Sequence, residues 1–207
     1  MLSIIPYVIY FSIFDILLSK LKFDGVYYIL HVIHNFIVIC NVIKPPWDTM
    51  PSHTVDLVIG FHVYHILLYY SKMRFIDWAH HILMCGILVL IYSENIGGLP
   101  LRYGLFFTTG LPGMCDYIVL ALERNKWVSN NCYRISSKYI NVWLRGPGCV
   151  IASYETAKFA HTLDYREKWE QYVCYFFASL VFWNGCYFAM KTVEAEAIRL
   201  ERQISKC

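Results

Sequence analysis

Phe75-Ile76-Asp77-Trp78-Ala79-His80-His81-Ile82-Leu83-Met84 is the stretch that decides how this chain is read. One carboxylate and two adjacent imidazoles head an otherwise apolar run. On a helix Asp77 lies three residues before His80 and four before His81, so one face brings the three together. The two histidines point about 100° apart, because a helix turns once every ~3.6 residues, and they line one wedge of a helical bundle. Ionisable groups are costly in lipid and mark function there by default. The reading therefore turns on whether this run lies in a membrane.

The surrounding sequence says that it does. The chain has 207 residues, 57% hydrophobic and only 16% charged, with a mean hydropathy of +0.43. Soluble domains carry about 25% charged residues. The apolar residues form long blocks joined by short charged or Pro/Gly-bearing links, the pattern of a polytopic membrane protein. The expected fold is all-α, a transmembrane bundle of about seven spans. A net charge of +3 is too small to argue for nucleic acid, and no nucleic-acid partner is expected. The absence of a phosphate-binding loop and of a G-x-S-x-G elbow argues against NTPase and serine hydrolase chemistry. The eight cysteines include no C-x-x-C pair. Cys40, Cys85, Cys115, Cys149, Cys174 and Cys186 fall in apolar blocks and read as buried small hydrophobes. Cys132 and Cys207 read as exposed, and the end is not a C-a-a-X box.

In chain order, residues 2–19 read as a retained first helix carrying Asp15, with no basic n-region and no A-x-A site. A second block, 25–43, carries His31, His34 and Asn35. It ends at Lys44-Pro45-Pro46-Trp47-Asp48, where Trp47 suits a membrane interface. The third, 54–71, carries Asp56, His62 and His65. The fourth, 76–93, begins with the opening stretch. The fifth, 101–122, contains Thr108-Thr109-Gly110-Leu111-Pro112-Gly113, which predicts a kink or a broken helix. The sixth, 138–157, contains Arg145-Gly146-Pro147-Gly148 and reads as two short pieces. The seventh, 171–190, is aromatic, and 191–206 read as a separate polar helix. This divides the chain into a first transmembrane helix (1–19), a six-helix membrane domain (20–195) and a charged tail (196–207).

Lys20/Lys22, Lys72/Arg74, Arg124/Lys126/Arg134 and Lys191/Arg199/Arg202/Lys206 fall on one side, which sets the N-terminus lumenal and the C-terminus cytosolic. Converted at about 1.5 Å per residue, His31, His34, His62, His65, His80, His81 and Asp116 then share one leaflet, within about 6–15 Å of the cytosolic interface. Asp15 and Arg145 lie towards the same side. Three readings fit. The polar groups act as interhelical hydrogen-bond glue, with Asp77 an N-cap. Alternatively, His31-x-x-His34 and His62-x-x-His65 bind metal as in membrane oxidases, although the oxidases' H-x-x-H-H boxes are not matched. In the third reading a histidine, oriented by Asp77 or Asp116, is base or nucleophile in acyl transfer. A cytosolic-leaflet site suits an acyl-CoA.

Tandem His80-His81 near the start of a helix, then Pro112-Gly113-Met114-Cys115-Asp116-Tyr117 in a Pro/Gly-interrupted helix that ends at Glu123, resembles the TLC-domain family of TRAM, ceramide synthase and neuronal-lipofuscinosis type proteins. The resemblance covers roughly residues 20–195. It implies an endoplasmic-reticulum or other endomembrane protein with a lipid-related role. In the ceramide synthase branch the tandem histidines and a pair of aspartates serve N-acylation of a sphingoid base by acyl-CoA. That branch has a His-Asp dipeptide ahead of the second Asp. Here Pro112-Gly113 stands in its place and only Asp116 remains. The expected catalytic set is His80, His81, Asp77 and Asp116, and His31, His34, His62, His65 and Arg145 are the expected binding groups. Membrane lipids and acyl-CoA are the expected partners, with no resident cofactor. Non-catalytic lipid binding and a histidine-rich metal oxidase are the alternatives.

Overall fold

The computed structural model describes residues 3–21, 23–46, 51–93, 98–163 and 168–205. Lys22, Trp47, Asp48, Glu94, Asn95, Arg166, Lys206 and Cys207 lie outside the described residues. All regular structure among the described residues is helical, in seven continuous runs. They are α1 (Ile5–Lys20), α2 (Val26–Val42), α3 (Ser52–Tyr69), α4 (Phe75–Ser93), α5 (Leu99–Arg124), α6 (Asn130–Tyr139, Ile140–Arg145 and Gly146–Thr162 in direct succession) and α7 (Lys168–Ile204).

Two of the sequence expectations need correction, and the cause is the same. α5 does not break at Pro112, and α6 is not two short pieces. Proline lacks an N–H, and its ring strikes the carbonyl four residues back. Each helix meets its proline by widening by one residue. A π turn over Phe106–Gly110 lets the Leu111 N–H bond Phe106 O, five residues back. A second over Ile140–Arg145 lets the Gly146 N–H bond Asn141 O. Both helices therefore continue through X-Pro-Gly as unbroken runs, and π turns of this kind concentrate at functional sites.

A third correction concerns the C-terminal end. The expected seventh span and polar tail are one helix of 37 residues. At ~1.5 Å per residue it is about 55 Å long, well beyond a ~30 Å hydrocarbon core. α5 and α7 are the helices long and apolar enough to cross a membrane among the described residues, and α2 is apolar but shorter. Cys186, expected buried, is exposed on α7.

Packing arranges α2, α3, α4, α7, α6 and α5 as a closed ring in that order, with each helix touching the next. The α6–α7 seam is the most extensive. α1 lies outside, against α2 and α3. Its Phe11 is fully buried, 4.6 Å from the Phe61 ring. Asp15 accepts hydrogen bonds from the hydroxyls of Tyr64 and Tyr69, which ties α1 to the far end of α3. At one end of the ring Arg102 donates to the carbonyls of Val42, Lys44 and Pro46 at 2.6–2.7 Å. It thereby satisfies the orphan acceptors at the C-terminus of α2.

Apolar side chains face outwards as well as into the core. Ile9, Ile13 and Ile16 of α1, Trp143 and Ile151 of α6, and Phe182 of α7 face outwards, while His34, Asn35, His65, Asn141 and Arg145 are buried. Soluble proteins bury such polar groups rarely.

Gly148 shows how tightly α5 and α6 meet, since a Cβ there would lie 2.0 Å from Phe107 Cδ1. The Gly148→Val protein should lose about 1–3 kcal/mol of stability through overpacking. Thermal unfolding in detergent reads this directly, and an unchanged midpoint would contradict the close approach.

Candidate functional site

The ring encloses a cavity of about 1020 Å³, at the upper end of the ~300–1,000 Å³ usual for ligand pockets. All the ring helices line it, and α1 supplies none of the lining among the described residues. Lys72, Arg74 and Arg124 stand exposed at its rim. At this end the α1–α2 and α5–α6 connections are tied by Asn125, which bonds both the N–H and the carbonyl of Asp24. The lining stops short of the Arg102 end, so the cavity occupies one half of the ring.

Its wall on α2, α3 and α4 is imidazole. One rule places three of the six rings: the Nδ1 atom faces the carbonyl one helical turn back. His31 meets Tyr27 O, His62 meets Val58 O and His81 meets Asp77 O, each at 2.7 Å. A carbonyl only accepts, so Nδ1 carries the proton, and in the neutral ring Nε2 is left with its lone pair. His34 follows a variant, with Nδ1 donating to Asn35 Oδ1 at 2.9 Å. His81 Nε2 lies 3.3 Å from His65 Nδ1. In a neutral pair that proton belongs to His65, whose own Nε2 is then a bare acceptor. The Nε2 atoms of His34 and His65 are both buried without a partner. Tyr27 packs on His31 and His65, with centroids 4.3 and 4.8 Å away, and closes this wall towards the rim.

His80 differs from the others. It sits 5.5 Å from both His62 and His81, centroid to centroid, yet it keeps open surface because it faces the cavity.

The aspartates do not serve the imidazoles through their carboxylates. Asp77 Oδ2 accepts from the Arg74 backbone N–H at 2.9 Å and from Arg74 Nε at 3.0 Å, and its Oδ1 accepts from Nη2 at 3.1 Å. The carboxylate, on the third residue of α4, thus reaches back to the N-cap Arg74 as the acidic half of a capping box, and its hydrogen bonds and then its charge raise the Arg74 guanidinium further above its ordinary value. What holds His81 is the Asp77 backbone oxygen. Asp116 lines the cavity from α5, and its Oδ1 is buried without a partner. It joins no histidine by a hydrogen bond among the described residues. Arg145, from the π turn of α6, reaches the same side of the cavity. Its guanidinium carbon lies 4.4 Å from the centre of the Phe188 ring.

The His-x-x-His pairs do not converge as ligands. No three His, Cys, Asp or Glu side chains gather at one point among the described residues. His31 and His65 stack face to face, 4.6 Å apart and 17° from parallel, and His34 stacks on Phe61. Stacked rings present π faces to one another, and their nitrogens point along different directions.

Sequence reasoning left out three groups that the cavity uses. Asn35 was visible as a polar residue in an apolar block but had no assigned role. Asn184 sits between Trp183 and Gly185 on α7, and its Oδ1 is buried and unpartnered. Gly113 admits Asn35 and Arg145 to the α5 backbone. An amide in an apolar run was the available signal for the first two, whereas nothing local marks Gly113.

No family model matches the chain, and neither a curated protein nor a solved structure is similar enough to it to establish a relationship.

Because the His81 ring is held by backbone, Asp77→Asn should leave its Nδ1–H tautomer unchanged in nitrogen-15 histidine spectra. The partly exposed Arg74–Asp77 pair is worth under about 1 kcal/mol, and asparagine keeps an oxygen to accept the Arg74 N–H. A tautomer change in this variant would show that the carboxylate, after all, orients the ring.

Proposed function

We propose that this chain is a seven-span, TLC-like integral membrane protein of an endomembrane such as the endoplasmic reticulum, with its N-terminus lumenal, its C-terminus cytosolic and a lipid or fatty-acyl molecule held in its ring. One observation carries the reading. Buried polar atoms without partners, contributed by α2, α3, α5, α6 and α7, converge on one cavity inside helices whose outer faces are apolar. Unpaired buried polar groups are costly, and a bound amphiphile with a polar head relieves that cost. The apolar outer faces suit lipid, and the exposed Lys72, Arg74 and Arg124 at the rim suit a cytosolic surface.

A second reading, fatty-acyl transfer from acyl-CoA to a lipid amine, is favoured by the His65–His81 contact. An imidazole whose Nδ1–H is anchored presents Nε2 in a set direction, as a general base requires. In this reading an Nε2 lone pair on the cavity wall takes the amine proton as nitrogen attacks the thioester carbonyl. The C–S bond then breaks, and the thiol of coenzyme A leaves with a proton. The basic rim receives the coenzyme's phosphates. The metal-oxidase alternative gains no support from the imidazole geometry.

Mass spectrometry of lipids retained after transfer to detergent tests the first reading. One dominant amphiphile at close to one per chain is expected, and a retained mixture mirroring the bulk membrane would overturn it. Turnover of acyl-CoA with a long-chain amine tests the second. The His65→Gln protein, which removes the bare Nε2 of this pair, should then lose roughly 10²–10⁴-fold in rate while keeping its bound lipid.

A further inference from the structure

The part of the cavity where α2, α5 and α6 meet is built differently. It offers hydrogen-bond donors and one fixed cation. A Cβ placed on Gly113 would lie 2.8 Å from Asn35 Nδ2 and 3.6 Å from an Arg145 terminal nitrogen. Donors from α2 and α6 thus converge over one bare stretch of α5 backbone. Both side chains are deeply buried, Asn35 at 0% and Arg145 at 5% exposure. Asn35 Nδ2 and Arg145 Nε nevertheless have no acceptor.

Their orientations are set from behind. Asn35 Oδ1 is engaged by the His34 Nδ1–H, which turns the amide NH2 towards Gly113. The Arg145 guanidinium carbon lies 4.4 Å from the centre of the Phe188 ring, a contact that uses none of its N–H groups. One turn beyond Gly113, Asp116 lines the same space with Oδ1 unpartnered. No ion pair or hydrogen bond joins Asp116 to Arg145 among the described residues, although both line this cavity. A guanidinium and a carboxylate that line one cavity without pairing, each with unused hydrogen-bonding capacity, fit a group that is itself divided into opposite charges. A plain fatty-acid carboxylate satisfies the donors but is repelled by Asp116. A plain amine satisfies Asp116 and is repelled by Arg145.

We propose that Asn35, Gly113, Asp116 and Arg145 form the head-group subsite of the cavity and take a phospholipid whose zwitterionic head carries a primary ammonium. A phosphate oxygen sits over Gly113 between Asn35 Nδ2 and the Arg145 guanidinium, and the ammonium N–H groups donate to Asp116. The subsite borders the histidine wall, because Tyr117, next to Asp116, packs 4.1 Å from the His31 ring. The proposal rests on the lipid-binding reading above and specifies the chemistry of its ligand.

The test compares two single-chain probes, palmitoyl lysophosphatidylethanolamine and palmitoyl lysophosphatidylcholine, by native mass spectrometry and calorimetry on the full chain in detergent. They share tail and phosphate, and only the first has ammonium N–H donors. The unmodified protein should bind the ethanolamine probe at least roughly tenfold more tightly, a difference of about 1.4 kcal/mol. Asp116→Asn should cut that preference to within about threefold, with the ethanolamine probe losing more affinity than the choline probe. Arg145→Gln should weaken both probes by roughly tenfold or more. Gly113→Ala, which fills the space between the donors without removing either, should weaken both as well. Helicity by circular dichroism and the elution volume of each variant separate loss of the subsite from loss of the fold.

Phosphoethanolamine without a tail should not bind at the same concentration. Equal binding of the tailless head would replace the lipid with a soluble phosphate ester and overturn the proposal. Equal affinity for the two lysolipids in the unmodified protein, or a preference untouched by Asp116→Asn, would overturn the subsite while leaving lipid binding intact. Failure of both lysolipids and of palmitate to bind would overturn the lipid reading itself.

Discussion

Proline inside a helix removes one donor from the ladder and drives its ring at the carbonyl a turn back. The inner wall of this ring depends on how α5 and α6 absorb that insult. Both insert a π turn just before X-Pro-Gly, so Leu111 and Gly146 bond five residues back instead of four. The extra residue rotates the C-terminal half of each helix relative to its N-terminal half. Gly113 consequently meets Asn35 and Arg145, Gly148 meets Phe107, and Arg145 ends its π turn inside the cavity. A true break at Pro112 would have separated the two halves of α5, and the donors from α2 and α6 would have no common floor.

The imidazole wall follows from a simpler economy. A buried imidazole has two nitrogens to satisfy, and the carbonyl one turn earlier on its own helix is always within reach. His31, His62 and His81 each use it. The remaining nitrogen is thereby aimed away from the parent helix. Because α2, α3 and α4 are consecutive in the ring, those nitrogens are brought to one region. Aromatic packing around Tyr27 and Phe61 then fixes the planes of the rings. One part of the cavity is therefore rich in acceptors and another in donors, and a ligand with both kinds of group is the natural complement.

Some of this was legible from particular residues. The i,i+4 relation of Asp77 and His81 correctly marked a contact, but the contact uses the backbone oxygen, because the carboxylate is drawn to the Arg74 N–H and guanidinium at the helix start. Pro112 and Pro147 marked disturbances in their helices. Composition cannot tell a π turn from a break, since the choice depends on whether neighbouring helices hold both halves in line. The His-x-x-His spacings on α2 and α3 suggested chelation. Stacking on Phe61 and between His31 and His65 turned the rings to other uses.

By itself the sequence determined that the chain is helical throughout the described residues, in seven runs of apolar residues separated by charged or Pro/Gly links, because helix period, capping and proline chemistry act over a few residues. It also marked α2 to α6 as carriers of buried polar groups, and missed Asn184 on α7. Only the tertiary structure decided which of those groups meet. Asn35, Gly113 and Arg145 come from α2, α5 and α6, and their convergence requires a closed ring, two π turns and one missing side chain. Asp77 and Asp116, alike in the sequence, part company for the same reason. The first is at a helix start within reach of a cation, and the second faces a cavity across from one. Local chemistry specifies the elements, but the environment of a charge is a property of everything packed around it.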